Sequence, residues 1–71
     1  MSLGSNLYQA RKKAGLSQEG VAERLGVSRQ TISKWETGET LPDIRQSKRL
    51  AVLYKLTLDE LIDFDLDVQE V

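Results

Sequence analysis

Residues 18–37 read QEGVAERLGVSRQTISKWET, and the spacing within them decides the fold. Val21, Leu25, Val27, Ile32 and Trp35 are the apolar positions, and Ala22 is a small residue one turn into the first half. The pattern predicts two short helices joined by a tight turn. Two helices that cross steeply need a small side chain where they come closest, and Ala22 supplies it. The chain must reverse just after Leu25, where Gly26 can enter the left-handed conformation without a Cβ clash. Ser28 then offers a hydroxyl to cap the free N–H groups of the second helix.

Such a pair is a helix-turn-helix unit. At about 100° per residue, Ile32 and Trp35 point toward the first helix of the pair. Arg29, Gln30, Ser33, Lys34 and Thr37 fall within an arc of roughly 140° on the other side, and that arc holds no carboxylate. Arginine and lysine can donate to guanine O6 and N7 or to phosphate, and glutamine can pair bidentately with adenine. An exposed face can carry such residues for solubility alone. What singles this one out is its conjunction with the small residue, the glycine, the cap and the apolar spacing.

The 71 residues amount to one small domain without cysteine or histidine. Disulfides and thiolate metal sites are excluded, and the commonest general base is missing. Stability must come from packed helices. No apolar run approaches the ~18 residues of a membrane span and no signal peptide is visible, so a cytoplasmic location is expected. The net charge of −1 argues at first against a nucleic-acid partner, but its distribution reverses that. Residues 1–55 hold all ten lysines and arginines with five acids, a net +5, whereas residues 56–71 hold six acids and no base. The division is a basic binding body with an acidic tail.

Outward from the central pair, the first helix is expected from about Leu3 or Ser5 to Ala14, with Leu3, Leu7, Ala10 and Ala14 on one face. Gly15 ends it, Leu16 re-enters the core and Ser17 caps the next helix. Gly20, inside that helix, costs about 1 kcal/mol against alanine and has no evident reason. Asp43 caps a fourth helix, with Gln46 as its capping partner and Ile44, Leu50, Ala51, Leu53 and Tyr54 as its apolar side; Ser47 interrupts that stripe. Thr57 and Glu60 form a capping box that opens a short fifth helix, with Leu58, Leu61 and Ile62 inward. The expected architecture is an all-α, compact five-helix bundle.

The stretch ARKKAGLSQEGVAERLGVSRQTISKWETGETLPD, followed by LTLDELI, resembles the phage-repressor and Cro-like (XRE-type) helix-turn-helix family of bacterial and phage transcriptional regulators. The likeness covers about Leu3 to Ile62. It implies a lambda-repressor-like DNA-binding domain over residues 1–62, with residues 63–71 as an acidic C-terminal tail. It implies double-stranded DNA as partner and a homodimer on a palindromic operator; from the sequence itself no cofactor, metal, membrane or small-molecule ligand is expected. Arg29, Gln30, Ser33 and Lys34 match base-contacting positions; Gln18, Ser28 and Thr37 match phosphate-contacting ones. Arg11 and Glu36 match a buried structural ion pair. Lys55 stands where the family often has glycine, so the end of the fourth helix is expected to be left-handed.

The function so implied is sequence-specific DNA binding by a transcriptional regulator, with repression as the expected sign. The alternative is a protein-interaction module or antitoxin-type partner on the same fold, for which acids on the outer face of the third helix would be the marker. An enzyme is excluded by the lack of histidine, cysteine, a glycine-rich phosphate loop and an evident carboxylate pair. Phe64 and Leu66, alternating with Asp63, Asp65 and Asp67, are candidates for packing on the fourth and fifth helices or across a two-fold axis.

Overall fold

The computed structural model describes residues 2–62. They form five helices: α1 (Leu3–Ala14), α2 (Gln18–Leu25), α3 (Arg29–Thr37), α4 (Ile44–Leu53) and α5 (Leu58–Ile62). The expectations placed on residues 63–71 lie outside the described residues. Among the described residues no helix is long and apolar enough to cross a membrane.

Each boundary has a local cause. Ser2, Ser17, Ser28 and Asp43 cap the first four helices, each accepting from a backbone N–H three residues on. Thr57 and Glu60 cap α5 reciprocally: Glu60 Oε1 accepts from Thr57 N at 2.8 Å, and Thr57 Oγ1 from Glu60 N at 3.0 Å. Gly26, at φ 74°, makes the left-handed turn between α2 and α3. Lys55 makes the corresponding turn after α4 at φ 60°, the one non-glycine residue at positive φ among those described. An L side chain there costs roughly 1–2 kcal/mol.

The core is built from one or two positions per helical turn: Leu7, Val21, Leu25, Ile32, Trp35, Leu50 and Leu61 are buried. Burying each such side chain contributes about 1.5–3 kcal/mol. Helices α1 and α2 both pack on α3, so the third helix is held from two sides, while α5 bridges α1 and α4. Ala22 is buried at the α2–α3 approach. Asn6 Nδ2 donates to Leu61 O at 3.0 Å and ties α5 to α1. Arg49 reaches from α4 to the carbonyls of Leu25 and Arg24 at 3.3 and 3.4 Å, satisfying groups left open at the end of α2.

Two expectations about faces and one about a cap are corrected. Ala14 is exposed, because α1 turns Arg11 rather than Ala14 into the protein at its last turn. Ile44 is 76% exposed: as the first residue of α4 it precedes the turn at which the helix meets the core. Gln46 gives α4 only half a capping box, for its backbone N–H donates to Asp43 Oδ1 at 2.8 Å while its side chain accepts from Arg49 at 3.2 Å. Ser47 is buried, as its place in the stripe required, and donates to Pro42 O at 3.5 Å.

Candidate nucleic-acid interface

The outer face of α3 is a consequence of how its inner face is fixed. Ile32 and Trp35 are buried against α1 and α2, and the 3.6-residue repeat then turns Arg29, Gln30, Lys34 and Thr37 to solvent. Ser33, between them, is half-buried. Ser28 Oγ accepts from Thr31 N at 3.2 Å and shares a hydrogen bond with Thr31 Oγ1 at 3.0 Å. Thr37 Oγ1 donates to Lys34 O at 3.2 Å. All seven expected DNA-contacting residues therefore lie on α3, at its cap, or at the first residue of α2.

Behind this face lies an ion pair. Arg11 Nε stands 2.7 Å from Glu36 Oε2 and Arg11 Nη2 donates to Glu36 Oε1 at 3.1 Å, a two-point contact between planar groups. The side chains are only 10% and 5% exposed. The remaining Arg11 nitrogen, Nη1, donates to Leu16 O at 3.0 Å, closing the loop between α1 and α2. The Arg11 pKa is raised above its ordinary value, first by the hydrogen bond to Glu36 and then by its charge, against desolvation. Glu36 is thus the one acid on α3, and it faces inward to α1.

Gln18 joins the buried pair to the outer face. Its Nε2 donates to Glu36 Oε1 at 3.0 Å, and its Oε1 accepts from Arg29 Nη1 at 3.4 Å. The path Arg11–Glu36–Gln18–Arg29 crosses three helices. Expected as a phosphate contact alone, Gln18 also orients the first arginine of the face; the sequence holds no spacing signal for that link. One of its two amide hydrogens is engaged by Glu36, which leaves the other able to reach a ligand.

Two further positions escape a reading by periodicity. Gly4 is buried where α1 crosses the end of α3, and a Cβ there would stand 2.6 Å from Glu36 O and 2.8 Å from Trp35 O. Its only signal in the sequence is a glycine in the first turn of a helix, where a good helix former would be expected. Gly20 is different: among the described residues a Cβ would meet Ser17 Oγ at 3.2 Å and nothing else within 4 Å outside its own helix and chain neighbours. Glu19 and Glu23 line the α2 wall of a cleft whose α3 wall carries Arg29 and Gln30. The two acids bias an anionic partner toward the α3 side. Among the described residues no His, Cys, Asp or Glu cluster is arranged to hold a metal ion.

Comparison with known proteins agrees with this geometry. The signature of the Helix-turn-helix family matches residues 7–61. The HTH-type transcriptional activator BcrR of Enterococcus faecalis is 40% identical over 62 residues, which is 87% of this chain and 30% of that protein. The HTH-type transcriptional regulator ImmR of Bacillus subtilis (strain 168) is 37% identical over 65 residues, 92% of this chain and 51% of that protein. The chain thus spans about a third and about a half of these two relatives' lengths. The crystal structure of a transcriptional regulator from Listeria innocua superposes with a TM-score of 0.83 at 33% identity, covering 97% of this chain and 70% of that one.

Proposed function

The chain belongs to the Helix-turn-helix family, and from that premise we propose that it is a sequence-specific, double-stranded DNA-binding transcriptional regulator. The observation that carries this reading is the outer face of α3. It presents Arg29, Gln30 and Lys34 to solvent while the only acid on the helix is turned inward and neutralised by Arg11. Such a face fits the major groove in shape and in donor pattern.

Arg29, Gln30, Ser33 and Lys34 read base edges in this proposal. Gln18, Ser28 and Thr37 fix the register through phosphates, which position without specifying. A single α3 reads only a few base pairs, too few to select an operator. The chain therefore acts as a homodimer on a palindromic site whose halves lie about 34–36 Å apart. The sign of regulation follows from where that site lies: a dimer seated across a promoter excludes polymerase, and repression is the outcome we assign.

Selection of bound sequences from a random duplex pool tests the reading. Enrichment of a two-fold-symmetric sequence is the expected result. Recovery of no preferred sequence at moderate salt would overturn it in favour of a protein-interaction role for the same surface.

A further inference from the structure

Two features are not used by the α3 face. The first is a trough along α4. One hollow lies between the end of α2 and α4, lined by Arg24, Leu25, Lys48, Arg49, Val52 and Leu53. A second lies between the end of α1 and the end of α4, and it shares Arg24 and Leu53 with the first, so the two adjoin. Lys13 and Lys55 add their charges to this second hollow, and among the described residues no aspartate or glutamate lines either one. None of the proposed DNA-contacting residues lines them. The floor is apolar, through Leu16, Leu25 and Leu53, and Val52 at its edge is 69% exposed. Cations gathered around an apolar floor repel one another, and the exposed valine gains nothing from water.

The second feature is the segment that follows α5. Residues 63–71 read DFDLDVQEV, with acids at 63, 65, 67 and 70 and apolar residues at 64, 66 and 68. An extended chain with this period of two turns Phe64, Leu66 and Val68 to one side and the aspartates to the other. Lysine and arginine side chains along the rim of a trough can lay their stems on the apolar floor and bring their heads up to such aspartates. The reach is sufficient. Asn6, at the Leu61 carbonyl, and Lys13, in the trough, are on one face of α1 and about 10 Å apart along its axis. Nine extended residues span up to about 30 Å.

We propose that residues 63–71 fold back onto their own domain and occupy the trough between α1, α2 and α4, with Phe64 and Leu66 on its floor and the aspartates against its cations. This seat covers the exposed apolar edge, balances the cations that the DNA face does not use, and holds the acids away from DNA.

The chain has no cysteine, so Gln69→Cys in the full chain gives a single attachment point for a nitroxide. Amide signals of the 15N-labelled protein are compared with the label paramagnetic and reduced. At low salt the trough amides, those of Ala14, Arg24, Val52 and Lys55, should lose most of their intensity while those of Arg29, Gln30 and Ser33 keep theirs. High salt, or Phe64→Ser with Leu66→Ser, should restore the trough signals. Loss spread evenly over the domain, or centred on α3, would overturn the proposal. So would loss at the trough in a mixed sample where only the unlabelled-isotope chains carry the nitroxide, since that outcome assigns the segment to a second copy.

Discussion

The Gln18 side chain donates to Glu36 Oε1 at 3.0 Å, and that contact couples the solvent-facing corner of α3 to a charge buried against α1. Glu36 accepts from Arg11 at 2.7 and 3.1 Å as well, so its carboxylate is held by donors from two other helices. The lean of α3 on α1 and the position of its first arginine are therefore set by the same acid.

Truncating either ion-pair partner should be severe. Arg11→Ala or Glu36→Ala strands a charge that is almost wholly out of water, at a cost of roughly 3–5 kcal/mol. For a domain this small the loss approaches the whole stability. Gln18→Ala removes one hydrogen bond to a charged group at a more open site and should cost about 1 kcal/mol. Thermal melts of the three variants give the order directly. A change of only ~2 °C for Arg11→Ala would show that its charge is not stranded.

The two helical glycines should respond oppositely to alanine. At Gly4 the new methyl would lie 2.6 Å from a backbone carbonyl oxygen, and backbone cannot step aside as a side-chain end can. Helix α1 must lift from α3, costing about 1–3 kcal/mol. At Gly20 the only neighbour of the new methyl among the described residues is the Ser17 hydroxyl at 3.2 Å, on an exposed cap that can shift a few tenths of an ångström. The gain in helix propensity, up to about 1 kcal/mol, should then win or break even. Denaturant titration of both variants checks the contrast. A strongly destabilised Gly20→Ala would mean that the cap cannot give.

Tyr54 predicts an alkaline limit. Its phenol is pushed up from 10.0 to about 12, first by burial and then by the Glu36 carboxylate, against the lowering pull of Arg11. The folded protein therefore keeps the proton longer than the unfolded chain does. The resulting stability is fully present below pH 10 and is lost as pH rises toward about 12. It amounts to at most roughly 3 kcal/mol. Melts of the protein and of Tyr54→Phe should run parallel near neutrality, with the unmodified protein falling faster above pH 10. Curves that stay parallel to pH 12 would show that the phenol ionises without cost to the fold.

Much of this was legible in the sequence because it is local. The capping serines at 17 and 28 and the stop at Gly26 depend only on neighbours along the chain, and each is where the sequence places it; the left-handed Lys55 was expected from the family resemblance. The inward turn of Ile32 and Trp35 follows from one helical repeat. The Arg11–Glu36 pair, 25 positions apart, was legible only through the family resemblance. What escaped depends on where helices cross. Gly4 is required by the α3 backbone, Ile44 is exposed because α4 meets the core one turn later, and the Gln18–Arg29 contact joins helices whose relative angle no periodicity encodes.

The division of labour on the DNA face gives the last prediction. Gln30 is exposed in the first turn of α3, has no hydrogen-bond partner among the described residues, and can present its amide flat to an adenine edge. Gln30→Ala should cost about 1–3 kcal/mol on the best site and relax the preference at one base position per half-site. Gln18→Ala should act otherwise. It removes the proposed phosphate contact, which should weaken every sequence about equally, and it frees Arg29 from its 3.4 Å tether. Loss of the tether should also blur the base position assigned to Arg29 in the proposed docking. Competitive binding of each variant to the selected duplex and to its single-base variants separates these outcomes. An unchanged base preference in Gln30→Ala would show that α3 enters the groove in a different register from the one proposed.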